Sequence, residues 1–169
     1  MKTMIILAMH GAPPKDFPAR ELGEYFGLHA RVETAPRSLD EAARARYAEL
    51  DAKMRSWPRT PTNDPFHASS LALAERLAEA SGLETVTGFN EFCDPSLADA
   101  VRTAIASGAE RLVVVTPMMT GGGEHAELEI PAEIERLQAE FPGVTMRYAW
   151  PFDPGEVANF LAAQASRFL

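Results

Sequence analysis

The chain is expected to be an α/β protein: a doubly wound, four-stranded parallel sheet with flavodoxin-like layering and a helical insertion after its first strand. Three observations predict it. Short strand-like runs alternate with helical patterns, the order that a parallel sheet requires. The first run, MIILAM, is continuously apolar, as in a strand covered on both faces. Asp-Pro pairs and glycines punctuate the helical stretches at their starts and ends.

The elements follow in order. Met4 to Met9 is the first strand, and Pro13 and Pro14 forbid a helix immediately after it. Residues 19–28 and 39–56 read as helices, separated from the next element by the proline-rich SWPRTPTNDP. Asp64 is the predicted N-cap and Pro65 the first position of a helix that runs to about Ala80 and stops at Gly82. Thr85 to Phe89 is the second strand. Asp94-Pro95 repeats the capping device before a helix with Leu97, Val101, Ala104 and Ile105 on one face, ended by Gly108. Arg111 to Thr116 is the third strand. Ile134, Leu137 and Phe141 mark a helix closed by Pro142-Gly143, and Val144 to Trp150 is the fourth strand. Asp153-Pro154 starts a last helix, with Val157, Phe160, Leu161 and Phe168 expected to face inward. Residues 12–60 are too many for one connection. They read as a helical insertion over the carboxyl ends of the strands, where such folds bind ligands, inside a single domain spanning 1–169.

A net charge of -8 argues against a general nucleic-acid binder. The charge is unevenly spread: residues 12–60 carry 9 basic and 8 acidic groups, and the rest of the chain 7 and 16. The insertion therefore holds most of the positive charge available to an anionic partner, although a solvated helical surface of mixed charge gives the same counts. One cysteine, Cys93, excludes an intramolecular disulfide framework and agrees with a reducing, cytoplasmic setting. The opening MKTMIILAMHGAPP is read as a strand rather than a leader, because its apolar run is short and broken by His10. No stretch is long enough to span a bilayer, so no membrane partner is expected.

Chemistry concentrates just past the strand ends. His10 follows the first strand, Glu91 the second, and His125 lies in the loop TPMMTGGGEH after the third. Parallel strands bring these three to one rim. A lone histidine at a strand end is more often a hydrogen-bonded structural residue than a ligand, so the convergence carries the argument. Two neutral imidazoles with a carboxylate suit Fe²⁺, Co²⁺, Ni²⁺ or Zn²⁺. Glu91, beside two histidines and near Phe89, Phe92, Met118 and Met119, is a candidate proton acceptor. Gly121, Gly122 and Gly123 let something bulky approach the main chain, with Met118 and Met119 as an apolar lining. Glu129, four residues after His125, suits either a contact in the metal's shell or compensation of the helix N-terminus, and the second is favoured. His29 and His67 fall in or near helices and read as structural. A phosphate cradle is a poorer reading of the loop: it matches neither nucleotide-binding glycine pattern, and Glu124, Glu127 and Glu129 would repel a phosphate, so no nucleotide is expected.

These residues bring a resemblance into view. VVVTPMMTGGGEHAELEIP resembles a segment of the small single-domain sirohydrochlorin cobalto- and ferrochelatases of the class II chelatase superfamily, matched by Pro117, Gly123, His125, Ile130 and Pro131, with Glu129 in place of an aspartate. NEFCDPSLADAV is similar to a second segment through Glu91, Phe92, Pro95 and Ser96, and AMHG to a third through His10 and Gly11. The resemblance covers residues 1–11 and about 65–165 and implies insertion of a divalent metal, Co²⁺ or Fe²⁺, into a tetrapyrrole. His10 and His125 would hold the metal, and Glu91 would accept protons from the pyrrole nitrogens. The glycines would keep the cleft wall thin for a flat macrocycle, with the methionines lining it. Ala12 departs from the family serine, and the insertion is longer than the family implies. It could cover the macrocycle, with Lys15, Arg20, Arg31 or Arg37 meeting its carboxylates. A homodimer is the implied assembly, since single-domain members look like half of a two-domain chelatase. The competing readings are a carrier that binds metal or tetrapyrrole without turnover, and a flavodoxin-like domain for a phosphorylated small molecule.

Overall fold

The structure, a computed structural model, describes residues 1–169. Four strands, β1 (Thr3–Met9), β2 (Thr85–Phe89), β3 (Arg111–Val115) and β4 (Thr145–Tyr148), form one sheet in the order β2-β1-β3-β4, and every pairing is parallel. β1 lies inside the sheet, which is why its sequence is apolar at every position from Met4 onward.

The pleat divides β1 between two cores. Met4, Ile6 and Ala8 point to one face and pack with Leu97, Val101, Ala104, Ile130, Ile134 and Leu137. These come from α4 (Leu97–Ala106) and α5 (Ile130–Glu140). Leu7 and Met9 point to the other face and meet Ala74 and Leu77 of α3 (Pro65–Ser81). Helices thus cover both faces, the doubly wound arrangement that the order of elements predicts. Fully burying such an aliphatic side chain contributes about 1.5–3 kcal/mol, which makes the larger α4/α5 cluster the principal core.

Asp64 caps α3 by accepting the His67 N–H at 2.9 Å, and Gly82, at φ 69°, ends the helix. The cap of α4 differs from expectation. Ser96, rather than Asp94, accepts the Asp99 N–H at 3.1 Å, because Asp94 and Pro95 still belong to the loop after β2.

The insertion forms a helical hairpin, α1 (Ala19–Thr34) and α2 (Glu41–Arg55). α1 runs six residues beyond the expected end at 28, since Leu22, Tyr25, His29 and Val32 continue the helical spacing until Pro36 approaches. The hairpin has its own core of Phe17, Tyr25, Leu50 and Met54, closed by Phe92 from the loop after β2. Its charges are spent largely on itself: Arg46 pairs with Glu24, Lys53 with Glu21 and Arg55 with Asp51. Arg31 closes the hairpin on the Ser38 carbonyl at 2.8 Å, whereas Lys15, Arg20 and Arg37 are exposed.

The last helix, α6 (Pro154–Ala165), overturns one expectation. None of its residues is buried: Phe160 and Leu161 are 61% and 56% exposed and Val157 is half-buried, and Phe168, in the 3-10 turn Ser166–Phe168 after it, is 82% exposed. β4 is the edge strand, so α6 has no further strand to cross back to.

Candidate metal centre and its comparison with known proteins

Backbone hydrogen bonds align the first two site residues. The β1–β2 ladder continues past both strands, with Asn90 N–H donating to the Met9 carbonyl and Glu91 N–H to the His10 carbonyl, each at 2.9 Å. Gly11, at φ 101°, lies so close to the Glu91 carbonyl that a Cβ there would collide with it. Phe92 follows at φ 62°, a left-handed conformation that a bulky residue holds only when its surroundings impose it. Its ring is locked in the hairpin core, and its carbonyl accepts from Arg59.

His125 arrives from the other side. It opens a π-helical turn, His125–Glu129, that runs directly into α5. Tyr148 fastens this turn to β4 by donating to the Ala126 carbonyl at 2.9 Å, and burial raises its hydroxyl pKa to about 12, so it remains a donor. The His10 and His125 rings meet edge to face, centroids 4.4 Å apart. One donor atom from each of His10, Glu91 and His125 lies within 4.8 Å of the others, the spacing of a site able to hold a cation.

The partners of the imidazoles define their working atoms. His10 Nδ1 lies 2.9 Å from the Gly11 carbonyl, which only accepts, so Nδ1 carries the hydrogen and neutral Nε2 presents a lone pair. His125 Nδ1 lies 2.6 Å from Glu129 Oε2, which likewise leaves its Nε2 free. Glu129 therefore orients His125 directly, where compensation of the helix terminus was the expectation. His10 Nε2 faces Glu91 Oε2 at 3.5 Å. A lone pair opposite a carboxylate is a place for a cation or a proton.

His29 corrects a second expectation. Read as structural, it comes from α1 to within 3.5 Å of Glu91 Oε1 through Nε2, while its Nδ1 bonds the Tyr47 hydroxyl at 2.9 Å. Glu91 thus lies between two imidazoles, one from the sheet and one from the insertion. Helical spacing puts His29 one turn after Tyr25, on which it stacks, but nothing in the sequence shows that this face of α1 meets the loop after β2. His67 stacks on Phe89 beneath the rim, away from the cluster.

The glycine loop divides its residues. Met118 is half-buried and packs against the principal core. Met119, Thr120 and Gly121 line an open groove of about 470 Å³ with Trp150, Phe152 and Val157. Gly122, at φ 86°, donates its N–H to Glu127 at 2.8 Å, and Gly123 is exposed beside it. A carboxylate of the chain itself occupies the loop where a phosphate cradle would need a free donor. A second groove, of about 520 Å³, opens between α4 and α5 and includes Asn90 and Glu129. Neither groove contains His10, Glu91 or His125.

Comparison with known proteins supplies the context. A sirohydrochlorin cobaltochelatase of Methanopyrus kandleri is 40% identical over 60 residues, 35% of this chain and 41% of that protein. A sirohydrochlorin cobaltochelatase of Priestia megaterium is 33% identical over 72 residues, 43% of this chain and 23% of that protein. The matched stretches thus span less than half of these relatives. Among solved structures, the sirohydrochlorin chelatase SirB of Bacillus subtilis subspecies spizizenii in complex with cobalt aligns with 89% of this chain and 44% of its own, at 16% identity and a TM-score of 0.45. The CbiX family model matches residues 63–167, well over half of the sequence and every element from α3 onward, and the chain belongs to the CbiX family.

Proposed function

We propose that the protein is a tetrapyrrole metal chelatase that inserts Co²⁺ or Fe²⁺ into sirohydrochlorin or a related macrocycle. The observation that carries this reading is the Glu91 carboxylate beside two imidazoles whose free Nε2 atoms converge on one rim. The metal is a substrate and must leave again, which suits neutral imidazole donors better than a closed, all-anionic cage. Ni²⁺ and Zn²⁺ fit the same donor set. His10 and His125 hold the ion, and Glu129, bonded to His125 Nδ1, fixes the orientation of the ring. As the ion enters, the macrocycle gives up two pyrrole protons, and Glu91 receives them from a position already in contact with His10.

The groove of Met119, Trp150 and Phe152 offers an apolar flank to a large flat macrocycle. The family match and the cobaltochelatase relatives support the same reading. A second copy of the chain is the partner proposed for the apolar face of α6.

The test is an anaerobic absorbance assay with sirohydrochlorin and Co²⁺ or Fe²⁺, run beside His10→Ala and His125→Ala. Rapid metal-dependent spectral change, reduced at least about 100-fold in both variants, is the expected outcome. A bound-macrocycle spectrum without faster insertion would identify a carrier instead.

A further inference from the structure

The protons that Glu91 collects must leave before it can act again; a macrocycle lying across the rim would cover the 17% of the Glu91 side chain that solvent reaches, and His10 Nε2 is committed to the metal. The other carboxylate oxygen faces the insertion. From Glu91 Oε1 a row of polar side chains runs through the hairpin: His29 Nε2 at 3.5 Å, then Tyr47 hydroxyl 2.9 Å from His29 Nδ1. Next come Tyr25 hydroxyl, 3.5 Å from that of Tyr47, and Asp51 Oδ1, 3.2 Å from Tyr25. Arg55 holds the other oxygen of Asp51 at 2.8 Å, and Asp51 is about a quarter exposed. The row starts in the site and ends at solvent.

Its setting is unusual for a structural network. Tyr25 is almost wholly buried, and its ring stacks on both His29 and Tyr47. The stack holds three proton-carrying groups in sequence inside an otherwise apolar core. Burial, chiefly, raises both tyrosine hydroxyls above their ordinary pKa, so both keep their protons and can accept on oxygen while donating hydrogen.

On the chelatase reading of the site, we infer that His29, Tyr47, Tyr25 and Asp51 form a proton exit that carries the protons from Glu91 through the insertion to solvent. Each transfer balances. Glu91 gives a proton to His29 Nε2 as His29 Nδ1 gives its own to Tyr47. Tyr47 passes its hydroxyl proton to Tyr25, and Tyr25 passes its own to Asp51, which releases it to water. One proton enters and one leaves. His29 is left with its hydrogen on Nε2 and the two hydroxyls turned about, so the row resets, by tautomer exchange at His29 and rotation of the hydroxyls, before the second of the two passages that one metal insertion needs. His29 acts through Glu91 and is a positioning residue for proton transfer; it does not touch the metal. The inference gives the insertion a task that residues 63–167, the family-matched stretch, do not supply.

The experiment compares the unaltered protein with His29→Ala and Tyr47→Phe in the insertion assay, alongside Co²⁺ binding without macrocycle. Tyr47→Phe keeps the ring and its stacking, so it separates the hydroxyl from the fold. Expected are a fall in kcat of about tenfold in both variants, KM and Co²⁺ affinity unchanged, and recovery of His29→Ala, but not of Tyr47→Phe, when imidazole is added. Wild-type kcat in both variants of an active protein would overturn the proton exit and leave the chelatase reading standing. Loss of Co²⁺ affinity in His29→Ala would overturn it by making His29 a metal ligand. No insertion by the unaltered protein would overturn the chelatase reading and the proton exit together.

Discussion

His67 and Cys93 show burial as the largest influence on two titratable side chains under the rim. Burial lowers the His67 pKa below its ordinary value, against the opposing pull of Asp64, and raises the Cys93 thiol to about 11, so the lone cysteine stays protonated and unreactive. The sign for stability follows. Below about pH 6.5 the unfolded chain takes up a proton that folded His67 refuses, so acid costs stability from that pH down to the depressed folded value. Above that range the contribution is fully present. The melting temperature of the protein should therefore fall more steeply between about pH 7 and 5 than that of His67→Gln, measured by thermal unfolding. Equal slopes would mean that His67 is solvated in solution. At this scale much of the centre is legible: His10, Glu91 and His125 can be named from their places after three parallel strands. Glu129 was within reach too, since four residues on a helical turn put it beside His125. His29 was not, because its role depends on which way an inserted helix faces.

Between elements, Arg59 joins the insertion to the rest of the chain at several points, beside Arg55, which donates to the Asn90 and Cys93 carbonyls. Arg59 is buried, pairs with buried Asp64, and donates to the carbonyls of Ala12, Met54 and Phe92. It thereby ties the chain after His10, the end of α2 and the residue after Glu91 to the cap of α3. Removing one partner of a buried pair costs about 3–5 kcal/mol, because the other charge is left uncompensated. Arg59→Met should lose stability of that order in urea unfolding, with Arg59→Met/Asp64→Asn recovering part of it; a loss under about 1 kcal/mol would mean that the hairpin holds without this anchor. Capping chemistry made α3 and α6 readable, at Asp64 and Asp153, and helical spacing made the insertion readable as helix. Ser96 displaced Asp94 as the α4 cap because Asp94 and Pro95 still belong to the loop after β2, whose end the local pattern does not mark.

For the whole molecule, the doubly wound sheet was foreseeable because alternation of strand and helix dictates it, whereas the exposure of α6 was not. An amphipathic pattern says that a face is apolar, not that the same chain covers it. Phe160, Leu161 and Phe168 form an exposed apolar surface beside the groove of Trp150 and Phe152. A second copy covering that face predicts a dimeric mass in light scattering, shifted to monomer by Phe160→Glu with Leu161→Glu. A monomer in the unaltered protein would reject it. No helix is long and apolar enough to cross a membrane.

The contact of Gly11 with the Glu91 carbonyl has a consequence for how such a centre could be retuned. The spacing of His10 and Glu91 is set main chain to main chain, with no side chain between them to shorten or lengthen. That jaw of the centre is stiff. His125 instead stands at the end of a loop with three consecutive glycines, braced by the side chains of Glu127, Glu129 and Tyr148. Substitution there can move one imidazole by fractions of an ångström while the other stays put. A change of preferred ion would be sought in the bracing of His125, with β1 and β2 left as the fixed reference against which a larger or smaller cation is measured.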